Sequence, residues 1–159
     1  MERTVLSVRI VVDDLRGPDI ARFLEEHLEE MRAVTPPGSK HALDLEGLRR
    51  PEITFWTLHV EDEIAACGAL KVMDDRSGEI KSMRTGSAFR RGGYASTLLR
   101  HIIEHARAHG LQRLNLETGS TEHFAPARAL YTKHGFEPCG PFADYTDDPH
   151  SYYMTKSLF

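Results

Sequence analysis

The spacing of apolar positions changes along the chain, and each change predicts an element. Residues 6–12 (LSVRIVV) are rich in β-branched side chains and are bounded by Asp13-Asp14, which predicts a first strand. Gly17-Pro18-Asp19 then opens a helix in which Ile20, Phe23, Leu24, Leu28 and Met31 recur at helical spacing. Glu25, Glu26, Glu29 and Glu30 fall mainly off that stripe and read as a solvated face. Thr35-Pro36-Pro37-Gly38-Ser39 ends the helix, and residues 42–48 predict a short helix closed by Pro51. Residues 53–60 (ITFWTLHV) and 64–73 (IAACGALKVM) flank Glu61-Asp62-Glu63, a hairpin pattern. A turn over residues 74–78 leads to a strand at 79–85, so the first half is predicted to be mostly antiparallel sheet.

The second half alternates. After Gly92-Gly93, residues Ala95, Leu98, Leu99, Ile102, Ile103 and Ala106 form one apolar stripe, with Gly110 placed to cap the helix end. Residues 111–118 (LQRLNLET) predict a strand, 126–134 a helix ended by Gly135, and 136–139 and 152–157 two closing strands. No internal repeat, low-complexity stretch or linker interrupts the pattern, so the 159 residues are expected to form one domain.

Composition narrows the class without naming an activity. The chain has 20 basic and 24 acidic residues, a net charge of −4, and 40% apolar content. A general nucleic-acid binder carries a broad basic excess, so nucleic acid is not an expected partner. No apolar run approaches the roughly 20 residues of a membrane span, and the first 14 residues lack the apolar core of a signal peptide. Cys67 and Cys139 read as free thiols in a reducing cytosol rather than a disulfide framework, which points to a cytoplasmic protein. Cys67 reads as a core residue; Cys139 has no recognisable His partner.

Charge is unevenly placed. Residues 80–103 hold Lys81, Arg84, Arg90, Arg91 and Arg100 and no acid. Within them, Arg90-Arg91-Gly92-Gly93 directly precedes the strongest helix. Unpaired amides and the positive end of the dipole make such a terminus an anion site, and glycines let a phosphate approach the backbone. The same glycines also suit a plain tight turn. A P-loop would need Gly-Lys-Ser or Gly-Lys-Thr where this chain has Gly-Gly-Tyr, and a dinucleotide fingerprint would need three spaced glycines after a parallel strand. Neither fits.

What the stretch resembles is the acyl-CoA loop of the GCN5-related N-acetyltransferase (GNAT) superfamily, [Q/R]-x-x-G-x-[G/A], matched by Arg90, Gly93 and Ala95. EIKSMRT resembles the strand before that loop, LNLETG the strand that parts from it, and ARALYTKHGF the helix-to-strand segment A-x-x-L-Y-x-x-x-G-F. PPGSKHALDLEGLRRPEITFW and GPFADYTDDPHSYYMTK extend the likeness to the YsnE-like branch over nearly the whole chain.

The resemblance implies an α+β fold: one mixed, mostly antiparallel twisted sheet of about six to seven strands flanked by about four helices. It also implies an acetyl-CoA-dependent N-acetyltransferase acting by direct attack of a small-molecule amine, with no metal. Main-chain groups of Met83 and Thr85 would pair with pantetheine. Amides of Arg91, Gly92, Gly93, Tyr94 and Ala95, with Arg90 and Ser96, would hold the pyrophosphate. Tyr131 matches the usual general acid, since a phenol of pKa about 10 can protonate a departing thiolate. Glu79 matches a strand glutamate used as base in some members, with Glu117, a histidine or a water as alternatives. Phe124 stands where many relatives carry a cofactor-contacting asparagine.

On the acceptor side, Arg32 and His41 would bind a carboxylate, and Phe142 and Tyr145 would wall the pocket. Non-catalytic acyl-CoA binding and O-acyl transfer to a hydroxyl- or carboxylate-bearing small molecule remain competing readings. The resemblance also leaves room for a homodimer. His101, His105 and His109, four apart on one helix, read as a solvated face rather than a metal site, because no carboxylate or cysteine completes a ligand set.

Overall fold

Antiparallel pairing joins the first four strands in sequence order: β1 (Val8–Val12), β2 (Ile53–Val60), β3 (Glu63–Val72) and β4 (Ser77–Thr85). The structure, a computed structural model, describes residues 7–34, 45–73 and 75–159. Helices α1 (Pro18–Val34) and α2 (Leu45–Leu48) lie between β1 and β2 in sequence. After β4 come α3 (Tyr94–Ala108), β5 (Arg113–Gly119), α4 (Ala125–Lys133), β6 (Glu137–Cys139) and β7 (Ser151–Ser157). The strands form one sheet of order β1-β2-β3-β4-β5-β7-β6, with β4 and β5 parallel and every other pair antiparallel. Among the described residues this is the expected mixed, mostly antiparallel sheet with four α-helices. No helix among them is long and apolar enough to cross a membrane.

The sheet is buried on both faces near its middle. On one face α3 lays down Leu98, Leu99, Ile102, Ile103 and Ala106, each buried, against Leu58, Leu70, Ile80, Leu114, Leu116 and Met154. These are five of the six stripe positions legible in the sequence. On the other face Ile20, Phe23 and Leu24 of α1 and Leu48 of α2 pack with Phe55, Cys67 and Ala69. Helix ends follow local chemistry: Gly110 and Gly135, just past α3 and α4, have φ of 78° and 92°.

One irregularity shapes the sheet beside the α3 helix. Pairing of β3 with β4 shifts between Cys67 and Ala69, opposite a bulge where Ser82 has φ 57°. The buried Cys67 thiol donates to the Ser82 carbonyl at 3.2 Å, and burial pushes its pKa up to about 12 against the pull of Arg84. The sequence reading of Cys67 as a core residue holds; its bond to the bulge carries no local sequence signal.

Candidate active site

Strands β4 and β5 part where the sheet would otherwise continue. Their parallel pairing runs from Ser77 with Arg113 to Ile80 with Leu116 and then stops. β4 continues alone on that side to Thr85, whereas β5 continues to Gly119 against β7. Met83 and Thr85 therefore lie on a stretch of strand edge that an extended ligand chain can pair with.

A short 3₁₀ turn over Ser87–Phe89 carries the chain from this edge to α3. Arg91 and Gly93 both have positive φ, 68° and 80°, so two left-handed residues bend the loop before the helix starts. At Gly93 a side chain would be strained, although open space surrounds the position. The first backward bond of α3 is from the Thr97 amide to the Gly93 carbonyl at 3.1 Å. The amides of Tyr94, Ala95 and Ser96 precede it and are the orphan donors of the helix start. A 15-residue helix aims them, with the positive end of its dipole, along the loop of Arg90 and Arg91. These donors fit a pyrophosphate.

The arginines before the glycines differ in setting. Arg90 donates to both carboxylate oxygens of Glu30 at 3.0 Å, and Glu30 also accepts from Arg84 at 3.2 Å. Arg84, with only 3% of its side chain exposed, lies 3.8 Å from Glu26 and 3.2 Å from His27 Nδ1, with its guanidinium 5.1 Å from the Phe23 ring centroid. Its Nε is buried without a partner among the described residues. The solvated-face reading is therefore corrected for Glu30, while Glu26 stays exposed at the edge of the same cluster. Glu30 faces a buried cation 54 residues away, and a charge removed from water needs such a partner. Arg91 is exposed at the loop tip.

The proton-handling candidates lie on opposite faces of the sheet. Tyr131 of α4 is buried with Phe136, ring centroids 5.7 Å apart, in the core beneath α3. Burial pushes its pKa above the ordinary phenol value, so it stays protonated. Glu79 of β4, only 6% exposed, accepts a hydrogen bond from the Tyr145 hydroxyl at 2.6 Å; Lys81 Nζ is 3.6 Å from the same oxygen. Burial raises the Tyr145 pKa, and its bond to Glu79 and the charges of Glu79 and Glu117 raise it further. Glu117 accepts from Ser151 Oγ at 2.8 Å.

Phe142, Tyr145 and Tyr153 complete this side as an aromatic trio, centroids 5.1, 5.7 and 5.8 Å apart. The Tyr153 hydroxyl holds the loop by donating to the Thr146 carbonyl at 2.9 Å. The structure thus brings Glu79, Glu117, Phe142 and Tyr145 together. Arg32 lies on α1, but its side chain and the whole of His41 lie outside the described residues.

A family model, the acetyltransferase (GNAT) family, matches residues 20–136. The chain belongs to the GNAT acetyltransferases. It is 54% identical over 151 residues to YsnE, an uncharacterized N-acetyltransferase of Bacillus subtilis, covering 95% of this chain and 100% of YsnE. It is 46% identical to YedL, an uncharacterized N-acetyltransferase of Escherichia coli, covering 94% of both chains. Among solved structures, an acyl-CoA N-acyltransferase from Klebsiella pneumoniae superposes with a TM-score of 0.77 at 25% identity, covering 96% of this chain and 98% of that one. The YsnE-like branch read from the motifs is therefore the right one, and the protein is an acyltransferase.

Within this GNAT chain, Phe124 has a definite packing role. Its ring lies against the Gly119 backbone, where a Cβ would collide with it, and His123 packs edge-on at 4.9 Å. Arg128 ties α4 to the same place by donating to the Gly119 and Thr121 carbonyls at 2.7 and 2.9 Å. Sequence reasoning did not place Glu30, Arg84, Lys81 and Tyr153 beside these candidate residues, where the structure puts them. Only Arg84 and Lys81 carried a signal, through the acid-free basic segment.

The histidines of α3 are not simply solvated. The buried Trp56 meets the rings of His101 and His105 edge-on at 5.8 and 4.8 Å, and His105 stacks on His109 at 4.1 Å. Among the described residues, no group of three or more His, Cys, Asp or Glu is disposed to hold a metal ion.

Proposed function

We propose that this acetyltransferase moves the acetyl group of acetyl-CoA to the nitrogen of a small-molecule amine by direct attack. The single observation that carries the reading is the continuous path from an unpaired β4 edge at Met83 and Thr85 to the amide-lined start of α3. That path suits a ligand with an amide-bearing arm and a pyrophosphate. Bound there, acetyl-CoA supplies an activated thioester. In this reading Met83 and Thr85 align its arm through main-chain groups. The amides of residues 91–96 neutralise the pyrophosphate, with Arg91 at the loop tip.

The proton lost by the attacking amine passes to Glu79, directly or through one water, and Tyr131 gives its proton to the departing sulfur. Two features support these roles. Glu79 is a buried carboxylate already holding a phenol donor, and Tyr131 is kept protonated by burial. Phe142 and Tyr145 border the acceptor in this arrangement, so the acceptor reaches Glu79 past an aromatic wall.

Thiol release from acetyl-CoA, measured on an amine panel with matched alcohols, tests the reading. Turnover on amines is expected. Tyr131→Phe and Glu79→Gln are each expected to lower kcat by about 10²-fold or more, with the acetyl-CoA Kd little changed. Turnover on alcohols alone would overturn the amine acceptor, and wild-type kcat in Tyr131→Phe would overturn the acid assignment.

A further inference from the structure

The two lips of the cleft between β4 and β5 carry opposite charges. The parallel ladder ends at Ile80 with Leu116, so Lys81 and Glu117 are the first residues past the split, one on each strand. Lys81 follows Glu79 by two, and Glu117 follows Asn115, the register partner of Glu79, by two. All three therefore lie on one face of the sheet. Glu117 pairs in turn with Tyr153 of the aromatic trio.

Lys81 stands out among these groups. Its side chain is 32% exposed, with the buried Ala69 opposite it on β3. Nζ lies 3.6 Å from Glu79 Oε2, near enough for charge attraction and too far for a hydrogen bond. Among the described residues no oxygen accepts from Lys81, so its three donors are unused within the protein. Glu79, by contrast, already accepts from Tyr145. A partly buried ammonium gains most from an anion that meets it at hydrogen-bond distance.

We propose that Lys81 binds a carboxylate of the acceptor, and that the acceptor is a free α-amino acid with its amine at Glu79. The proposal rests on the acetyl-transfer reading above, which sets the attacking amine at Glu79. By ordinary bond lengths, the nitrogen and carboxylate oxygens of an α-amino acid are about 2.7–3.6 Å apart. That span matches the 3.6 Å between Glu79 and Lys81. One zwitterion thus meets both charges, its ammonium facing Glu79 and its carboxylate facing Lys81. An acceptor whose amine stands several carbons from its carboxylate overshoots the pair. Glu117, an anion on the β5 lip, disfavours the reversed orientation. The aromatic trio is left to the acceptor's side chain.

Initial rates of thiol release from acetyl-CoA test this on a panel of free α-amino acids, each paired with its α-amide. For the amino acid turned over best, kcat/KM is expected to exceed that of its amide by about 10- to 100-fold, mostly through KM. Lys81→Met is expected to shrink that ratio to about threefold or less, and Lys81→Arg to keep most of it. The ratio reads recognition of the carboxylate alone, because lost support for Glu79 would slow both substrates together. Amides used as well as their amino acids, or a wild-type ratio in Lys81→Met, would overturn the amino-acid acceptor and leave amine transfer standing. Thiol release with no amine, amino acid or amide would overturn amine transfer along with it.

Discussion

Gly119 and Phe124 form a pair in which each residue explains the other. Gly119 ends β5 with no side chain, and the Phe124 ring occupies the space a Cβ would need. Gly119→Ala is therefore expected to destabilise the chain by about 1–3 kcal/mol through overpacking. The same substitution in a Phe124→Asn background is expected to cost less, since the smaller side chain vacates the space. Chemical denaturation of the two singles and the double measures the coupling, and strict additivity would refute the contact.

Glu30 makes a comparable case with charge. It accepts from both Arg84 and Arg90, and Arg84 is buried. Glu30→Gln is expected to cost about 1–3 kcal/mol, more than an exposed ion pair contributes, because it leaves a buried guanidinium short of charge. Glu29→Gln on the same helix serves as control and is expected to be near neutral. Legibility at this scale followed distance along the chain. The glycine loop, Tyr131 and Glu79 stood within short motifs. The partnerships of Glu30 with Arg84 and of Glu79 with Tyr145 span 54 and 66 residues and leave no local pattern.

At the scale of elements, α3 shows why periodicity was a reliable guide. Its apolar stripe was complete in the sequence because one face of one helix must cover the sheet, and five of its six members are buried. Ile102, fully buried at its middle, is expected to lose about 2–5 kcal/mol on substitution by alanine, read as a fall in the urea midpoint with little change in m. The loop of residues 140–150 behaves oppositely. Its turn-forming and acidic residues predict no element, and only the family likeness singles out Phe142 and Tyr145 there; the Tyr145–Glu79 and Tyr153–Thr146 bonds fix the loop over β4 and β7. Sheet order was equally hidden. The pattern predicts that β6 and β7 exist, but not that β7 enters between β5 and β6.

For the whole molecule, partly or fully buried phenols and imidazoles together define a pH window. His59, His105 and His134 have pKa values lowered chiefly by burial, so the unfolded chain binds more protons than the folded one below about pH 6.5, and stability falls as pH drops through that range. Tyr131 and Tyr145 are shifted the other way. Above about pH 10 the unfolded phenols ionise while the folded ones hold their protons, so stability falls as pH rises. For the fully buried Tyr131 the limiting slope is about 1.4 kcal/mol per pH unit. Melting temperature is thus expected to be highest between about pH 6.5 and 10 and to decline on both sides. Tyr131→Phe removes one ionisable group from the alkaline limb only, so the variant should lose less melting temperature than the wild type between pH 10 and 11 while keeping the acid limb. An unchanged alkaline limb in that variant would show that Tyr131 does not titrate with unfolding. That result would also remove the argument that burial keeps its proton in place for the departing sulfur.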